Sequence, residues 1–238
     1  MLQQQLSAHV ASFETRWGRW CQHIRLRWQR LVWRHDRGGA GCNKRAVDVM
    51  GSLCALFLLS PLLMLIFVAI RCEDGRPVIF TQTRVGQFGR LFKIYKFRSM
   101  HLDAERRLKE LLAENHHRNG VTFKIKNDPR ITQVGKWLRK FSLDELPQFY
   151  NVLIGDMSLV GPRPPIPHEV ALYSLSDRRR LAVPPGITCI WQVSGRAAID
   201  FPGQVKLDLL YIENQSFWQD IRILAKTIPA VALGSGAY

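Results

Sequence analysis

An uncharged run of 22 residues, Val49 to Ile70, constrains this chain more than any other feature. It exceeds the length of about 18 apolar residues that marks a candidate membrane helix. Ser60-Pro61 lies at its midpoint, and a proline inside a helix removes a backbone hydrogen bond and clashes with the preceding turn. Each half then spans about 15 Å, which is half of a bilayer core of about 30 Å. The run is either a straight spanning helix or a re-entrant pair of helices broken at Ser60 and Pro61.

The charge that precedes this run bears on the choice. Residues 1–45 carry nine arginines and lysines against two carboxylates, within a net charge of +15 for the whole chain. Positive charge beside an apolar run is typical of the cytoplasmic membrane surface. A spanning helix would then place everything after Ile70 outside the cytoplasm, away from cytosolic substrates. A re-entrant pair, with both ends on the cytoplasmic side, removes that conflict.

The first 42 residues form a basic arm rich in tryptophan. Apolar residues recur at steps of three and four over residues 6–31, and most of the arginines lie off this stripe. Four of the seven tryptophans fall within residues 1–33, which suits a helix lying in the bilayer interface. A coiled-coil or subunit-packing seam is the alternative. Glycines at positions 38, 39 and 41 predict a flexible joint after the arm.

The overall composition excludes several classes of protein. Hydrophobic residues make up 47% of the chain and charged residues 22%, so the body is not a disordered polyelectrolyte. The five cysteines are odd in number and form no C-x-x-C pair, which argues against a disulfide framework or a zinc site. The positive charge indicates an anionic partner, which is nucleic acid, anionic lipid or a phosphorylated substrate.

Residue patterns after the apolar run predict a helix-rich α+β body. Two strand-like segments flank a glycine turn, helical spacing recurs in several segments, and clusters of glycine and proline mark turns. Ser216 and Gln219 have the spacing of a capping box. The predicted elements are a β-hairpin over 77–98, helices over 101–118, over 132–140, from Ser142 and from Ser216, a turn over 127–130, and a loop over Gly155–Pro167.

The segment Ser142-Leu143-Asp144-Glu145 supports two interpretations. Ser142 with Glu145 three residues later is a capping box, in which Asp144 merely suits the dipole of the helix that follows. The same position keeps a carboxylate ionised, as a nucleophile or a magnesium ligand requires. The pattern alone favours the capping box.

Basic and polar residues cluster in the hairpin, near Asp144 and in the loop that follows. Arginine binds phosphate with two parallel hydrogen bonds and lysine binds it as a point charge. Each residue taken alone is more often a solvated surface group. The candidates are Gln82, Arg84, Lys93, Lys96, Arg98, Arg139, Asp156 and Arg163, the last held between Pro162 and Pro164.

These residues stand in a series of motifs that resembles the bacterial sugar transferase family, the monotopic polyprenyl-phosphate phosphoglycosyl transferases. The match covers residues 43–238, over four-fifths of the chain. So many motifs in one order are far more specific than any single short pattern. The motifs are Lys44-Arg45-x-x-Asp48, Ser60-Pro61, IFTQTRVG (79–86), FKIYKFRSM (92–100), NDPRITQVGKWLRKFSLDELPQFYNVL (127–153), GDMSLVGPRP (155–164), PPGIT (184–188), QVSGR (192–196) and the terminal GAY.

The resemblance implies a domain plan and a reaction. Residues 1–42 would be the arm, 43–72 a re-entrant membrane helix, and 73–238 a cytoplasmic catalytic domain. Sugar-1-phosphate would pass from a UDP-sugar to polyprenyl (undecaprenyl) phosphate through a covalent aspartyl-phosphosugar, with release of UMP. This would be the initiating step of exopolysaccharide synthesis. Cys189-Ile190-Trp191 after PPGIT departs from the family pattern.

The resemblance also implies roles for single residues. Asp144 would be the nucleophile, and Glu145 would assist a metal or act as general base. Both carboxylates would hold Mg²⁺, which would neutralise the diphosphate. Lys96, Arg139 and Arg163 would bind phosphate groups. Two further residues, Gln82 and Arg84, are assigned to substrate binding without a defined role.

Partners and location follow from the same resemblance. The expected location is the cytoplasmic face of the bacterial inner membrane, with a monotopic attachment. The expected partners are the UDP-sugar, polyprenyl phosphate, membrane lipids and a second copy of the chain, and no nucleic acid is expected. The first alternative is a membrane-tethered basic adaptor that binds anionic lipid or nucleic acid. The second is a glycosyltransferase that extends a preformed lipid-linked sugar and releases UDP.

Overall fold

The computed structural model describes residues 40–104, 106, 128–195 and 199–232. The chain divides into two compact units, residues 1–46 and 47–238. Of the first unit the structure describes residues 40–46, which are helical. The amphipathic helix predicted over 6–31 lies outside the described residues, as does most of the helix predicted over 101–118. The predicted domain boundaries at 42 and 72 stay predictions.

Helices dominate the described residues, and four short strands complete the body. The α-helices, numbered in chain order, are α1 Ala40–Leu58, α2 Ser60–Asp74, α3 Gln133–Lys140, α4 Gln148–Ile154, α5 Pro167–Ala171, α6 Ile190–Ser194, α7 Phe201–Glu213 and α8 Phe217–Ala232. The strands are β1 Ile79–Val85, β2 Leu91–Phe97, β3 Ser158–Val160 and β4 Gly186–Thr188. Short 3-10 turns lie at Gln87–Gly89, Leu143–Glu145 and Asp177–Ala182. The predicted helix-rich α+β class is confirmed.

The apolar run is broken where the proline predicts. The axes of α1 and α2 meet at Leu59 with a bend of 61°. Pro61 has no N–H to donate to the carbonyl of Phe57, and the Ser60 hydroxyl donates to that carbonyl at 2.7 Å instead. Among the described residues no single helix is long and apolar enough to cross a membrane. The bent pair α1 and α2 has that length and composition only when its two helices are counted together.

A buried carboxylate fastens α1 to the rest of its unit. Asp48 Oδ1 accepts hydrogen bonds from the Ser158 hydroxyl at 3.0 Å and from the Leu159 N–H at 2.9 Å. One turn further along, a Cβ on Gly51 would lie 2.8 Å from Leu159 Cδ1, so a larger side chain would push the two elements apart. Helix α1 is therefore held against the start of β3.

The hairpin predicted over residues 77–98 is confirmed. Strands β1 and β2 pair antiparallel, from Ile79 opposite Phe97 to Val85 opposite Leu91. The connecting turn closes with the Gly86 N–H donating to the Arg90 carbonyl at 2.7 Å. Alternate residues of a strand share one face. Gln82 and Arg84 are therefore neighbours on the same face of β1.

The segment Gly155–Pro167 was predicted to be a loop, and this is wrong for its middle part. Residues Ser158–Val160 form β3, which pairs in parallel with β4. The pairing depends on glycine, because a Cβ on Gly186 would lie 2.1 Å from the Gly161 nitrogen. Around β3 lies the main core, whose buried members are Ile94, Val152, Met157, Leu159, Val160, Tyr211 and Ile223.

A second apolar cluster joins the end of α2 to α3 and the hairpin. Its buried members are Ile66, Ile70, Val78, Phe97 and Leu138. The Arg98 guanidinium donates to the carbonyls of Asp74 and Gly75 at 2.7 and 3.2 Å, so it satisfies the C-terminal end of α2. A helix from Thr132, whose hydroxyl caps Gly135, is confirmed as α3. This packing fixes where α3 ends, and the candidate site begins there.

Candidate active site

Asp144 and Glu145 lie in a 3-10 turn between α3 and α4. The capping box predicted at Ser142 is wrong: Ser142 has φ 53°, its side chain caps no helix, and the next helix begins only at Gln148. The reason is that Ser142 closes the preceding helix, with its N–H donating to the Arg139 carbonyl at 3.1 Å. The Glu145 side chain accepts hydrogen bonds from Lys96 and Arg163 and not from the Ser142 backbone. The two carboxylates therefore lie in a turn and not at the N-terminus of an α-helix.

The Glu145 carboxylate is held by two cations. Lys96 Nζ donates to Oε1 at 2.6 Å, and Arg163 Nη1 lies 3.3 Å from the same oxygen. Burial alone would raise the pKa of Glu145, but Lys96 and Arg163 outweigh it and lower the pKa to about 2. Glu145 is therefore ionised at neutral pH.

Asp144 has the opposite environment, although it is the adjacent residue. Burial and the negative charge of Glu145 raise the pKa of Asp144 to about 6, against the opposing effect of Lys96, Arg139 and Arg163. Within the described residues no hydrogen bond reaches its carboxylate. Asp144 is thus mostly ionised at neutral pH, poorly solvated and without a bound donor, which suits a nucleophile.

Arg139 lies at the end of α3, beside this turn. Its Nε donates to the Ser99 hydroxyl at 2.9 Å. Burial lowers the pKa of Arg139, and the negative charge of Asp144 acts in the opposite direction. Arg139 therefore lies within electrostatic range of Asp144.

The structure brings the predicted phosphate-binding residues together from three distant segments. Lys96 comes from β2, Arg139 from the end of α3 and Arg163 from the loop after β3. Glu145 raises the pKa of Arg163, so its guanidinium remains charged despite burial. Their roles stay predictions, whereas their positions around the two carboxylates are structural facts.

Two residues of the sequence cluster lie apart from this group. Lys93 is exposed. Arg98 is buried against the end of α2, where it donates to backbone carbonyls. Arg84 does reach the site, because it lines a cavity together with Glu145 and Arg163, and Gln82 is linked to the site through its hydrogen bond with Arg84.

Comparison with known proteins identifies the family. A family model described as "Bacterial sugar transferase" matches residues 40–234, which include every site residue above. The chain belongs to the bacterial sugar transferase family. The resemblance seen in its sequence motifs is confirmed.

Three relatives show how far the similarity of this chain extends. It is 51% identical over 82% of its length to the galactosyl transferase CpsE of Streptococcus agalactiae. It is 46% identical over 82% of its length to the undecaprenyl-phosphate galactose phosphotransferase of Salmonella typhimurium. The match spans only 43% and 41% of those two proteins. The exopolysaccharide production protein ExoY of Sinorhizobium fredii is 41% identical over 83% of this chain and 89% of its own.

The sequence analysis did not predict two polar residues of α4 that hold parts of the site in place. Asn151 is fully buried, and its Oδ1 accepts from the Tyr95 N–H at 3.0 Å while Nδ2 donates to the Lys93 carbonyl at 2.7 Å. These bonds fix β2, and with it Lys96, against the helix that follows Glu145. Gln148 is buried in the cavity wall. The available signal was their spacing of three, which places both on one face of α4.

The fit of Mg²⁺ to this site rests on Asp144 and Glu145. The described residues contain no group of three or more histidine, cysteine or carboxylate side chains that could hold a metal ion. Mg²⁺ commonly binds one or two carboxylates together with substrate phosphates, so the pair is sufficient. Oε2 of Glu145 receives no hydrogen bond within the described residues, and a cation beside it would relieve the repulsion that raises the pKa of Asp144. The residues fit, and the metal requirement stays a prediction.

Proposed function

We propose that this sugar transferase moves a sugar-1-phosphate from a UDP-sugar to polyprenyl (undecaprenyl) phosphate and releases UMP. The carrying observation is the Asp144 carboxylate, which accepts no hydrogen bond from the described residues and has Lys96, Arg139 and Arg163 nearby, while burial and Glu145 raise its pKa to about 6. A nucleophile that attacks phosphorus needs such cations to offset the charge of its substrate. The Salmonella relative is named as an undecaprenyl-phosphate galactose phosphotransferase, which is consistent with this donor group and this acceptor.

The proposed first step is attack by an Asp144 oxygen on the phosphorus that bears the sugar. A bond forms between that oxygen and phosphorus, the bond from phosphorus to the bridging oxygen breaks, and UMP leaves with the electron pair. The enzyme then carries an aspartyl-phosphosugar. In the second step an oxygen of polyprenyl phosphate attacks the same phosphorus, which releases Asp144 as a carboxylate and forms the polyprenyl-diphosphate-sugar.

Glu145 is better suited to holding charges than to removing protons. A carboxylate with a pKa near 2 is a weak base at neutral pH. Its ion pairs with Lys96 and Arg163 fix the position of both cations. With Asp144 it would hold Mg²⁺, which would supply positive charge for the diphosphate. Of the two roles that the resemblance allows, the geometry favours the metal ligand over the general base.

The proposed location is the cytoplasmic face of the bacterial inner membrane, with α1 and α2 inserted as a re-entrant pair. The support is the bend between them together with their exposed apolar surface: Phe57 is 80% exposed and Leu58 73% exposed, beside the break. Apolar surface of this extent needs a cover, and the acceptor of the proposed reaction is itself a lipid. If the protein bound only to the lipid headgroups, Phe57 and Leu58 at the break would remain in contact with water.

The test is the nucleotide product. The full chain in detergent is given a panel of UDP-sugars and polyprenyl phosphate, and the released nucleotide is identified by chromatography. We expect UMP, formed only with the correct sugar. Release of UDP would instead establish the glycosyltransferase alternative, because that reaction breaks the bond between the sugar and the diphosphate.

A further inference from the structure

Beside the two carboxylates lies a cavity whose charge is unbalanced. It encloses about 210 Å³ of space, part of it open to solvent. Arg84, Lys96 and Arg163 contribute three positive charges to its wall, Glu145 one negative charge and Gln148 an amide. The rest of the wall is aliphatic or backbone. A cavity with this lining favours an anionic occupant.

Among the described residues Arg84 forms no ion pair with a carboxylate, although the charges of Glu169 and Glu145 act on it from nearby. Lys96 and Arg163 both contact Glu145. Arg84 instead donates from Nη1 to the Pro164 carbonyl at 3.0 Å and from Nη2 to Gln82 Oε1 at 2.7 Å, and both acceptors are neutral. Burial and the nearby Arg163 lower the pKa of Arg84 to about 10, so it remains charged at neutral pH.

Two buried donors on the cavity residues lack acceptors. Among the described residues, Arg84 Nε and Gln148 Nε2 have no hydrogen-bond partner, and Gln148 is only 2% exposed. Buried donors are almost always paired, because an unpaired one forfeits its hydration. Two of them beside a guanidinium that forms no ion pair within the described residues indicate a ligand with several acceptor oxygens.

We propose that Arg84 and Gln148 form a phosphate-binding subsite beside Lys96 and Arg163, in the cavity that all four line, which takes a phosphate group of one of the two substrates. Arg84 Nε and Gln148 Nε2 donate to its oxygens, and the charge of Arg84 offsets its negative charge. The assignment to a substrate phosphate rests on the proposed function, whereas the capacity to bind an anion does not. The phosphate belongs either to the nucleotide or to the lipid acceptor.

Gln82 is the positioning residue of this subsite. Its amide oxygen holds one arm of the Arg84 guanidinium and leaves the charge of that group available. Changing Gln82 to Glu keeps the acceptor in place and adds a negative charge. The ion pair so formed would satisfy Arg84 internally and make the subsite electrostatically neutral. A merely structural role of Gln82 would not lose anion binding through this substitution.

The experiment uses inorganic pyrophosphate as the probe, which requires no turnover. Binding to the full chain in detergent is measured by isothermal titration calorimetry, and each variant is also melted. We expect Gln148→Met to weaken pyrophosphate binding about tenfold, because one hydrogen bond to an anion is lost. The melting temperature should hold or rise, because an unpaired buried donor is removed. Gln82→Glu should weaken binding at least as much, and the exposed control Arg178→Met should bind as the wild type does.

The substrate that supplies the phosphate is read from steady-state kinetics of Gln82→Glu. A higher KM for the UDP-sugar with an unchanged KM for polyprenyl phosphate assigns the subsite to the nucleotide, and the reverse assigns it to the lipid. Either result supports the subsite. An unchanged KM for both substrates overturns it, as does pyrophosphate binding that is absent from the wild type or unaffected by Gln148→Met. A wild type that binds pyrophosphate through Arg84 and Gln148 but releases no UMP supports the subsite and contradicts the proposed function.

Discussion

Asp144 and Glu145 are adjacent, and their carboxyl pKa values are shifted in opposite directions. Pairs of titratable groups that are driven apart by their surroundings commonly divide two roles between them. Here Lys96 and Arg163 form ion pairs with Glu145, whereas Asp144 forms none within the described residues. The sequence could predict that both residues matter. It could not predict which is stabilised as an anion, because that depends on cations brought in from β2 and from the loop after β3.

Replacing Asp144 with Asn tests the nucleophile at this scale. The variant is expected to fold, since the amide is nearly isosteric, and to release no UMP, since an amide cannot form the acyl phosphate. Mass spectrometry of the wild type after incubation with the UDP-sugar alone should find a phosphosugar on the peptide that carries Asp144. Robust turnover by Asp144→Asn would remove the proposed mechanism.

Ser142 gives a second prediction at the residue scale, and it concerns stability. Ser142 has φ 53°, a left-handed conformation that costs a residue with a Cβ but not glycine. Ser142→Gly is therefore expected to stabilise the fold by about 0.5–1 kcal/mol. Denaturant unfolding measures this change. The comparison variant Ser142→Ala should change stability little, because the serine side chain caps no helix. A loss of about 1 kcal/mol in Ser142→Ala would restore the capping box.

At the scale of elements, local patterns predicted what local interactions determine. The hairpin, α3 after Thr132 and the break before Pro61 follow from residues within a few positions of each other. The same holds for α8, where the Gln219 N–H donates to Ser216 Oγ at 3.2 Å, although the Gln219 side chain does not complete the box. Strand β3 could not be predicted. Its three residues, Ser158–Val160, lie in a segment rich in glycine and proline and form a strand only by pairing with the distant β4.

The break between α1 and α2 carries a prediction about topology. Pro61→Leu restores a backbone donor to the Phe57 carbonyl and is expected to allow a straight helix, shifting some molecules to a spanning form. Single cysteines at positions 74–76, in a cysteine-free background, report the side of the membrane by labelling from the periplasm. We expect no labelling in the unchanged segment and partial labelling with Pro61→Leu. Strong labelling without the proline substitution would contradict the re-entrant arrangement.

At the scale of the whole molecule, the family match begins at residue 40, which is also the first residue that the structure describes. Recognition of the family was possible from the sequence because its motifs are many and ordered. The exposure of the apolar side chains of α1 and α2 was not predictable, because it can be measured only on a folded chain. The basic arm before residue 40 lies outside both the family match and the described residues, so its role is a separate question.

Deletion of residues 1–39 tests the role of the basic arm and keeps residues 40–58 of α1. The truncated chain is expected to release UMP at a measurable rate, because every family motif is retained. It should bind vesicles of anionic lipid more weakly in sedimentation assays, since most of the basic and tryptophan residues of the arm are lost. A truncated protein that folds and binds the UDP-sugar yet forms no UMP would place the arm in the active site.

The contact of Asp48 with Ser158 and Leu159 has a mechanical consequence. Helix α1 cannot tilt without moving the strand that leads to Arg163, because that strand is bonded to a carboxylate of the helix. If α1 lies in lipid, a thinner or thicker bilayer changes its tilt and strains this bond. Turnover in nanodiscs is therefore expected to vary with the acyl-chain length of the lipid. The variation should be smaller in Asp48→Ala, because the hydrogen bonds that link α1 to β3 are absent from that variant. A cooperative melting transition would show that the variant is folded.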